Sequence, residues 1–593
     1  MRCFFCAILA CLLMVLLLVP VAAAKPRHEG IASVTEAVQA SVGTDTAGAA
    51  VVLFENGERI LYEGFGYADI SARTLVTAQT CFEIGEISSL FVALAAQRLA
   101  ESGAVELDRD IAYYLPGDFM KKLNLSRALT LNDLLSGRAG FADRYFDLRY
   151  SDPSLVFDTL EQALLADVPV QNETVGSSYA YSRFGLTLAA YVVECVSGTD
   201  YATYVTEQIL KPLGMTQTLL KPHMQTAEKQ AVGHVAKGEG TFAVARESGR
   251  TYSALWPADG ALSNAADLSL LMQHLLRSDA EAQLLFTSFE NGVFQTGVAG
   301  LGVSGTVRAM RASTAHFSAA IAIDPAAARA ALVLCNGEDS ALLNESFAFC
   351  SFLAGVQSPV SDVALPDPAM FEGEYALRSK TTGVLQARLQ KNVRVSVDGE
   401  GKLFFGDKAL VQIAPGVFAD PEAKDIAVLQ FLTDVEGNVT GALSATGESY
   451  RPVKWSETDA VVNVFFIALT VGALYFLIGG ALALCDALLS RARGDRRPRA
   501  WRFTLPWVFG GINALIVLLQ ITVCAKFGGA TIASFLTATS TVSLLFVIGA
   551  VCGFIYALFT GFTVRRMTGR VARSAVLYVL FLVFCGYWGV VLI

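Results

Sequence analysis

The sequence predicts an α/β fold in an exported region, then a small antiparallel β domain, then a region of four membrane helices. Three observations carry this. Strand-like runs around an Asn56-Gly57 turn lead into a helix-periodic stretch over 88–103. Short apolar runs alternate with Gly, Asp and Asn turns over 366–455. Four long apolar stretches follow residue 455. At 593 residues the chain is too long for one hydrophobic core, and 53% apolar against 17% charged residues points to membrane segments. The net charge of −9 argues against nucleic acid as a partner, which would require a basic face.

Residues 1–24 read as a secretory signal: Arg2 supplies the positive end, Cys3–Val19 is almost wholly apolar, and Ala22-Ala23-Ala24 offers a cleavage site. The alternative is an uncleaved anchor helix, and either one exports residue 25 onward. The first exported stretch, Ile31–Val42, has helical spacing. Ala49–Phe54 and Arg59–Tyr67 are the two strands of a hairpin, and the helix over 88–103 ends at Gly103. Only Cys81, Cys195, Cys335 and Cys350 belong to the exported region; their spacing matches no metal site. The first three sit in apolar runs as buried thiols, with a Cys335–Cys350 disulfide as the alternative. His28, His223, His234, His274 and His316 are unpaired in sequence, so no metal and no cofactor are expected.

Residues 366–455 carry the runs Gly373–Arg378, Leu385–Val397, Leu403–Phe405, Gly416–Phe418, Val428–Phe431 and Val439–Leu443, the spacing of a small β-barrel or sandwich. The apolar stretches lie near Val461–Leu484, Leu505–Cys524, Val542–Phe562 and Ala575–Ile593. Each has about 19 to 24 residues, enough for a hydrocarbon core of roughly 30 Å. The link between the first two, 491–502, holds six Arg against one Asp, and that between the last two holds Arg565, Arg566, Arg570 and Arg573. The positive-inside rule puts both links in the cytoplasm and residues 25–455 outside, in agreement with the signal. No Asp, Glu, Lys or His lies deep in the four stretches, which favours an anchor or assembly element over a pump.

A series of motifs in the exported region carries a resemblance. The run Phe82-Glu83-Ile84-Gly85-Glu86-Ile87-Ser88-Ser89 is followed by Leu129–Ser136 with Gly140-Phe141, and by Tyr179-Ala180-Tyr181-Ser182-Arg183-Phe184-Gly185. Ile209–Met215, Ala258–Ser263, Ala320–Pro325 and Ala331–Asn336 complete the series. In order and spacing this resembles the serine β-lactamases and penicillin-binding proteins, in particular the class C β-lactamase and esterase branch, over roughly 32 to 355. The resemblance implies a β-lactamase-like antiparallel sheet flanked by helices, with a helical subdomain inserted between early and late strands and a cleft between them. Expected divisions are 1–24 (signal), 25–360 (β-lactamase-like domain), 366–455 (β domain) and 456–593 (membrane domain).

The chemistry that the resemblance implies is missing. The family writes the opening run Phe-x-Ile-Gly-Ser-x-x-Lys, with a Ser nucleophile and a Lys one turn later that helps deprotonate it. Glu86 falls on the Ser and Ser89 on the Lys. No Ser of the exported region has Lys three residues later, so a shifted motif is excluded. In the Tyr-Ser-Asn motif Tyr181 remains, but Arg183 replaces Asn. In Gly302-Val303-Ser304-Gly305, Val303 stands for the His of the third motif. Lys380–Gly383 resembles Lys-Thr-Gly but lies beyond the hydrolase strands and reads as a turn. Glu86 and Arg183 are expected to pair across the former site. The cleft residues expected to bind are Glu86, Ser88, Tyr181, Arg183 and Ser304.

The sequence therefore reads as a membrane-anchored pseudoenzyme that binds a cell-wall peptide or glycan, or an envelope protein. One alternative is a serine hydrolase with a rearranged site, using Ser88 or Ser182 with Tyr181 or Glu86 as base. Another is a sensor or transport accessory acting through its membrane helices.

Overall fold

In the computed structural model, the central strands of a nine-stranded sheet are buried and apolar on both faces, since each face is covered there. The structure describes residues 29–587 except at 126, 142–148, 151, 167, 170, 172, 239, 245–251, 278–284, 286, 292–293, 305, 338–339, 351–364, 379–391, 400, 420–427, 435, 445–447, 494–499, 527–529 and 562–564. The signal segment, His28, the Lys380–Gly383 turn and much of the Arg-rich link lie outside the described residues.

The sheet strands are β1 (Gly48–Glu55), β2 (Glu58–Asp69), β3 (Thr74–Leu75), β4 (Ser288–Asn291), β5 (Phe294–Gly297), β6 (Gly302–Ser304), β7 (Val307–Ser313), β8 (Ser318–Asp324) and β9 (Arg329–Cys335). Their order is β4-β5-β6-β7-β8-β9-β1-β2-β3, antiparallel throughout. The early strands β1 and β2 therefore complete a sheet begun by late ones, with the helices between them in sequence. Successive β1 side chains alternate between two cores. Ala50, Val52 and Phe54 join one, and Ala49, Val51 and Leu53 join the other with helices α1 (Glu29–Ser41) and α5 (Ser340–Phe349). Cys335 and Cys350 are buried there as thiols, not as a disulfide.

On the other face α2 (Ser89–Glu101) is buried from Ser89 to Gln97 on every side. It packs with α3 (Arg183–Ser197) and α4 (Ala265–Leu276) in the larger core. The unit after residue 366 is a closed eight-stranded antiparallel barrel from Gly373–Leu377 to Ser449–Pro452. Its core stacks Phe371 on Phe431 with ring centroids 4.5 Å apart. Arg378 of the barrel meets Glu173 at 3.0 Å, tying the barrel to the segment that leads to Tyr181.

Four C-terminal helices follow: α6 (Asp459–Ala492), α7 (Ala500–Lys526), α8 (Ala530–Gly561) and α9 (Arg565–Tyr587). Among the described residues three of them are long and apolar enough to cross a membrane, over Asp459–Ala492, Thr504–Thr522 and Val542–Phe559. In the fourth, the described residues include an apolar stretch at Val571–Val583, which at 1.5 Å per residue reaches about 20 Å. The expected remainder of that stretch, 588–593, lies outside the described residues. Helices α6 and α7 touch closely, since a Cβ on Gly480 would lie 2.6 Å from the Trp507 carbonyl oxygen.

Candidate functional site

The turn Gly85–Ser88 leads directly into α2, and it is held against the end of β7. Gly85 has φ +51°, and a Cβ there would meet Ala312 and the Ser313 nitrogen at 3.2 and 3.3 Å. Glycine thus meets both demands of this turn, the left-handed backbone and the close strand. Glu86 follows in the first helical turn, where a carboxylate is favoured by the helix dipole.

Arg183 is placed by the start of α3. The Ser182 hydroxyl accepts from the Gly185 N–H at 2.9 Å and caps that helix, so Arg183 is its first residue. From there Arg183 Nη2 donates to Glu86 Oε1 at 2.8 Å, the pairing expected from sequence. Its Nε lies 2.9 Å from Oδ2 of Asp259, whose side chain is only 1% exposed. Sequence reasoning missed Asp259. Its motif, Ala258–Ser263, carried no sequence sign that the acid faces Arg183. The second Glu86 oxygen, Oε2, accepts the Ser313 backbone N–H at 2.9 Å.

The hydroxyls are turned to the backbone. Ser88, buried, donates to Gly85 O at 2.6 Å and accepts from Ala261 N at 3.0 Å. Ser89 is fully buried, with Glu86 O at 2.6 Å and Ala299 O at 2.7 Å as acceptors. Tyr181 donates to Ala258 O at 3.0 Å. Part of its ring reaches solvent, but the hydroxyl end is enclosed. Burial pushes the phenol well above its ordinary pKa, Glu86 and Asp259 add to the rise, and Arg183 and Ser89 pull against it. A phenol so raised is held in its protonated form at neutral pH.

Glu86, Ser88, Ser89, Tyr181 and Arg183 are thus brought together. Val303 and Ser304 are not, and this corrects the third motif. They lie on β6, where Val303 faces Arg308 and Ser304 faces Val307 near the start of β7. Glu86 touches Ser313 at the other end of β7, so at about 3.3 Å per residue Ser304 lies roughly 20 Å away. The segment that does reach the site is Ala312-Ser313, one strand further along, and sequence spacing alone did not separate the two strands. A cavity of about 540 Å³ lined by Arg59, Tyr62, Gln79, Gln217, Lys229 and Asp267 includes none of the expected site residues.

With this geometry in place, comparison with known proteins gives the class. The Beta-lactamase family model matches residues 34–346, more than half of the chain, and the chain belongs to that family. Among curated relatives it is similar to Protein flp of Staphylococcus aureus (strain MRSA252), 25% identical over 192 residues, covering 32% of this chain and 38% of that protein. It is also 25% identical over 198 residues to Penicillin-binding protein 4 of Amycolatopsis lactamdurans, covering 32% of this chain and 49% of the relative. The chain thus spans less than half the length of these relatives. Among solved structures it is similar to SurE at a TM-score of 0.51 and 20% identity, covering 72% of this chain and 99% of that one; this likeness concerns the fold alone.

Proposed function

We propose that this chain is a membrane-anchored, extracytoplasmic member of its family that acts by binding a cell-envelope ligand or partner and forms no acyl-enzyme. One observation carries the reading: the Glu86 carboxylate lies between Arg183 and the Ser313 N–H at the position where the family motif has its nucleophile. Acyl transfer requires an activated hydroxyl and free N–H donors for the developing oxyanion. Glu86 supplies no hydroxyl and takes up one such donor. Ser88 and Ser182, the alternative nucleophiles, are buried and engaged with the backbone.

Three apolar helices support membrane association. The signal-like N-terminus and the Arg-rich links support placing residues 25–455 outside. A cell-wall peptide or glycan, or an envelope protein, is the ligand class that fits this location. The test is intact mass measurement of the full chain in detergent after exposure to a penicillin and to a fluorophosphonate probe. No covalent addition is expected, and a stoichiometric adduct on any Ser overturns the reading.

A further inference from the structure

Glu86 is held the way a bound carboxylate ligand would be held. Its two oxygens go to two donors from two distant segments, Arg183 Nη2 at the start of α3 and the Ser313 N–H at the end of β7. Both donors are fixed independently of Glu86. Arg183 is steadied through Nε by buried Asp259 and through the Ser182 cap of its helix. Ser313 is fixed by its pairing with Ser318 on β8. One side of the arrangement is open, since the Arg183 side chain is 28% exposed, that of Glu86 14%, and Ser313 is exposed. The anchored charge, the oriented N–H and the open side together describe a receptor, and the occupant is a side chain of the same protein.

We propose that Arg183 and the Ser313 N–H form a carboxylate-binding site that Glu86 fills in cis. The inference rests on the reading that this site binds and does not hydrolyse. The ligand class is a small molecule or chain end with a free carboxylate, admitted from the solvent side when the Glu86 side chain rotates away. A carboxylate is favoured over a neutral carbonyl because its hydrogen bonds to the guanidinium and the N–H are charge-assisted. A tethered competitor lowers the apparent affinity for any free carboxylate, so Glu86 keeps the wild-type site largely closed, and shortening it opens the site.

The test uses the full chain in detergent at pH 7.5, with thermal unfolding followed against sodium acetate and against sodium chloride at equal ionic strength. Wild type is expected to show no acetate-specific shift. Glu86→Ala is expected to melt lower and to recover saturably with acetate, with half-effect on the order of 1 mM for so small a ligand. At a hundredfold excess over that value the folding equilibrium constant rises about 100-fold, a gain of roughly 4 °C. Arg183→Met in the Glu86→Ala background is expected to abolish the acetate-specific part. If Glu86→Ala does not fold, Glu86→Gln keeps the volume without the charge, and the same acetate response is expected of it. Equal effects of acetate and chloride on the folded Glu86 variant overturn the site, as does an acetate response that survives Arg183→Met. The two readings fail separately: a fluorophosphonate adduct on wild type refutes the absence of acyl chemistry, while a missing acetate response without an adduct refutes the carboxylate site alone.

Discussion

Exchanging the charges of Glu86 and Arg183 should fail to restore the fold, and the reason is Asp259. If the two residues were an isolated pair, Glu86→Arg with Arg183→Glu would recover most of what either change loses. In the structure Arg183 serves two carboxylates, with Glu86 at 2.8 Å and Asp259 at 2.9 Å. Their burial differs: the Asp259 side chain is 1% exposed and that of Glu86 14%. Removing the cation by Arg183→Met leaves a buried carboxylate uncompensated, a loss of about 3–5 kcal/mol. The Glu86 arm, partly open to solvent, is discounted to about 1–2 kcal/mol for Glu86→Gln. The double swap sets a second carboxylate beside Asp259 in place of the guanidinium, so it keeps most of the larger loss. Adding Asp259→Asn to the swap should recover stability. Thermal unfolding of the full chain in detergent reads this directly. For a unit of about 300 residues, a loss of about 4 kcal/mol corresponds to roughly 6 °C. A double swap that melts like wild type would refute the reasoning, because it would mean that the Arg183–Asp259 contact contributes nothing.

Two further outcomes follow from buried polar groups. His234 is buried, with Ile70 N at 3.4 Å from Nε2 and Asn336 Nδ2 at 3.2 Å from Nδ1, and burial lowers its pKa against weaker pulls from Val232 and Asp69. The unfolded chain therefore takes up the proton first. Stability is full above about pH 6.5 and falls as the pH drops below it, and His223, also lowered by burial, acts in the same sense. Melting scanned from pH 7.5 to 5.5 should fall less steeply for His234→Gln than for wild type, and parallel curves would contradict the assignment. In the membrane region, buried Asn513 donates to Tyr578 Oη at 3.1 Å and accepts from Ser543, linking α7, α8 and α9. Asn513→Ala should weaken the bundle by about 1–2 kcal/mol in SDS-titrated unfolding, and an unchanged midpoint would show that packing alone joins these helices.

The parts of the fold that were legible in the sequence are those set by periodicity and local turns. The Asn56-Gly57 hairpin, the helix from residue 89 and the alternation of the barrel strands each depend on neighbours in sequence. The Glu86–Arg183 pair was legible for a different reason: two substitutions with opposite charge fell on adjacent family motifs. Asp259 was not, because an acid in a short helix gives no sequence sign of facing another segment. The third motif was misplaced for a related reason. Gly302–Ser304 and Val307–Ser313 are successive strands of one antiparallel pair, and only register decides which end of which strand meets Gly85.

The residues that depart from the family motifs support one another in the structure. The Ser89 hydroxyl bonds Ala299 O, in a turn where Ala299 has φ 58° and ψ 25°. A left-handed alanine costs on the order of 1–2 kcal/mol, and the bond from Ser89 helps offset it. Beside it Gly300 lies against the Tyr181 ring, where an added Cβ would come within 2.6 Å, and the Tyr181 hydroxyl reaches Ala258 O, next to Asp259. Asp259 holds Arg183, which holds Glu86, which holds Ser313. The circuit passes through the turn at 85–89, the Trp256–Asp259 helix, the Val298–Gly300 turn and the end of β7. Returning a serine to position 86 alone would supply a hydroxyl with no base at position 89, and it would leave Arg183 with a single carboxylate. Such agreement among local choices is the mark of a sequence fitted to its structure, so the departures from the family motifs here form one connected arrangement.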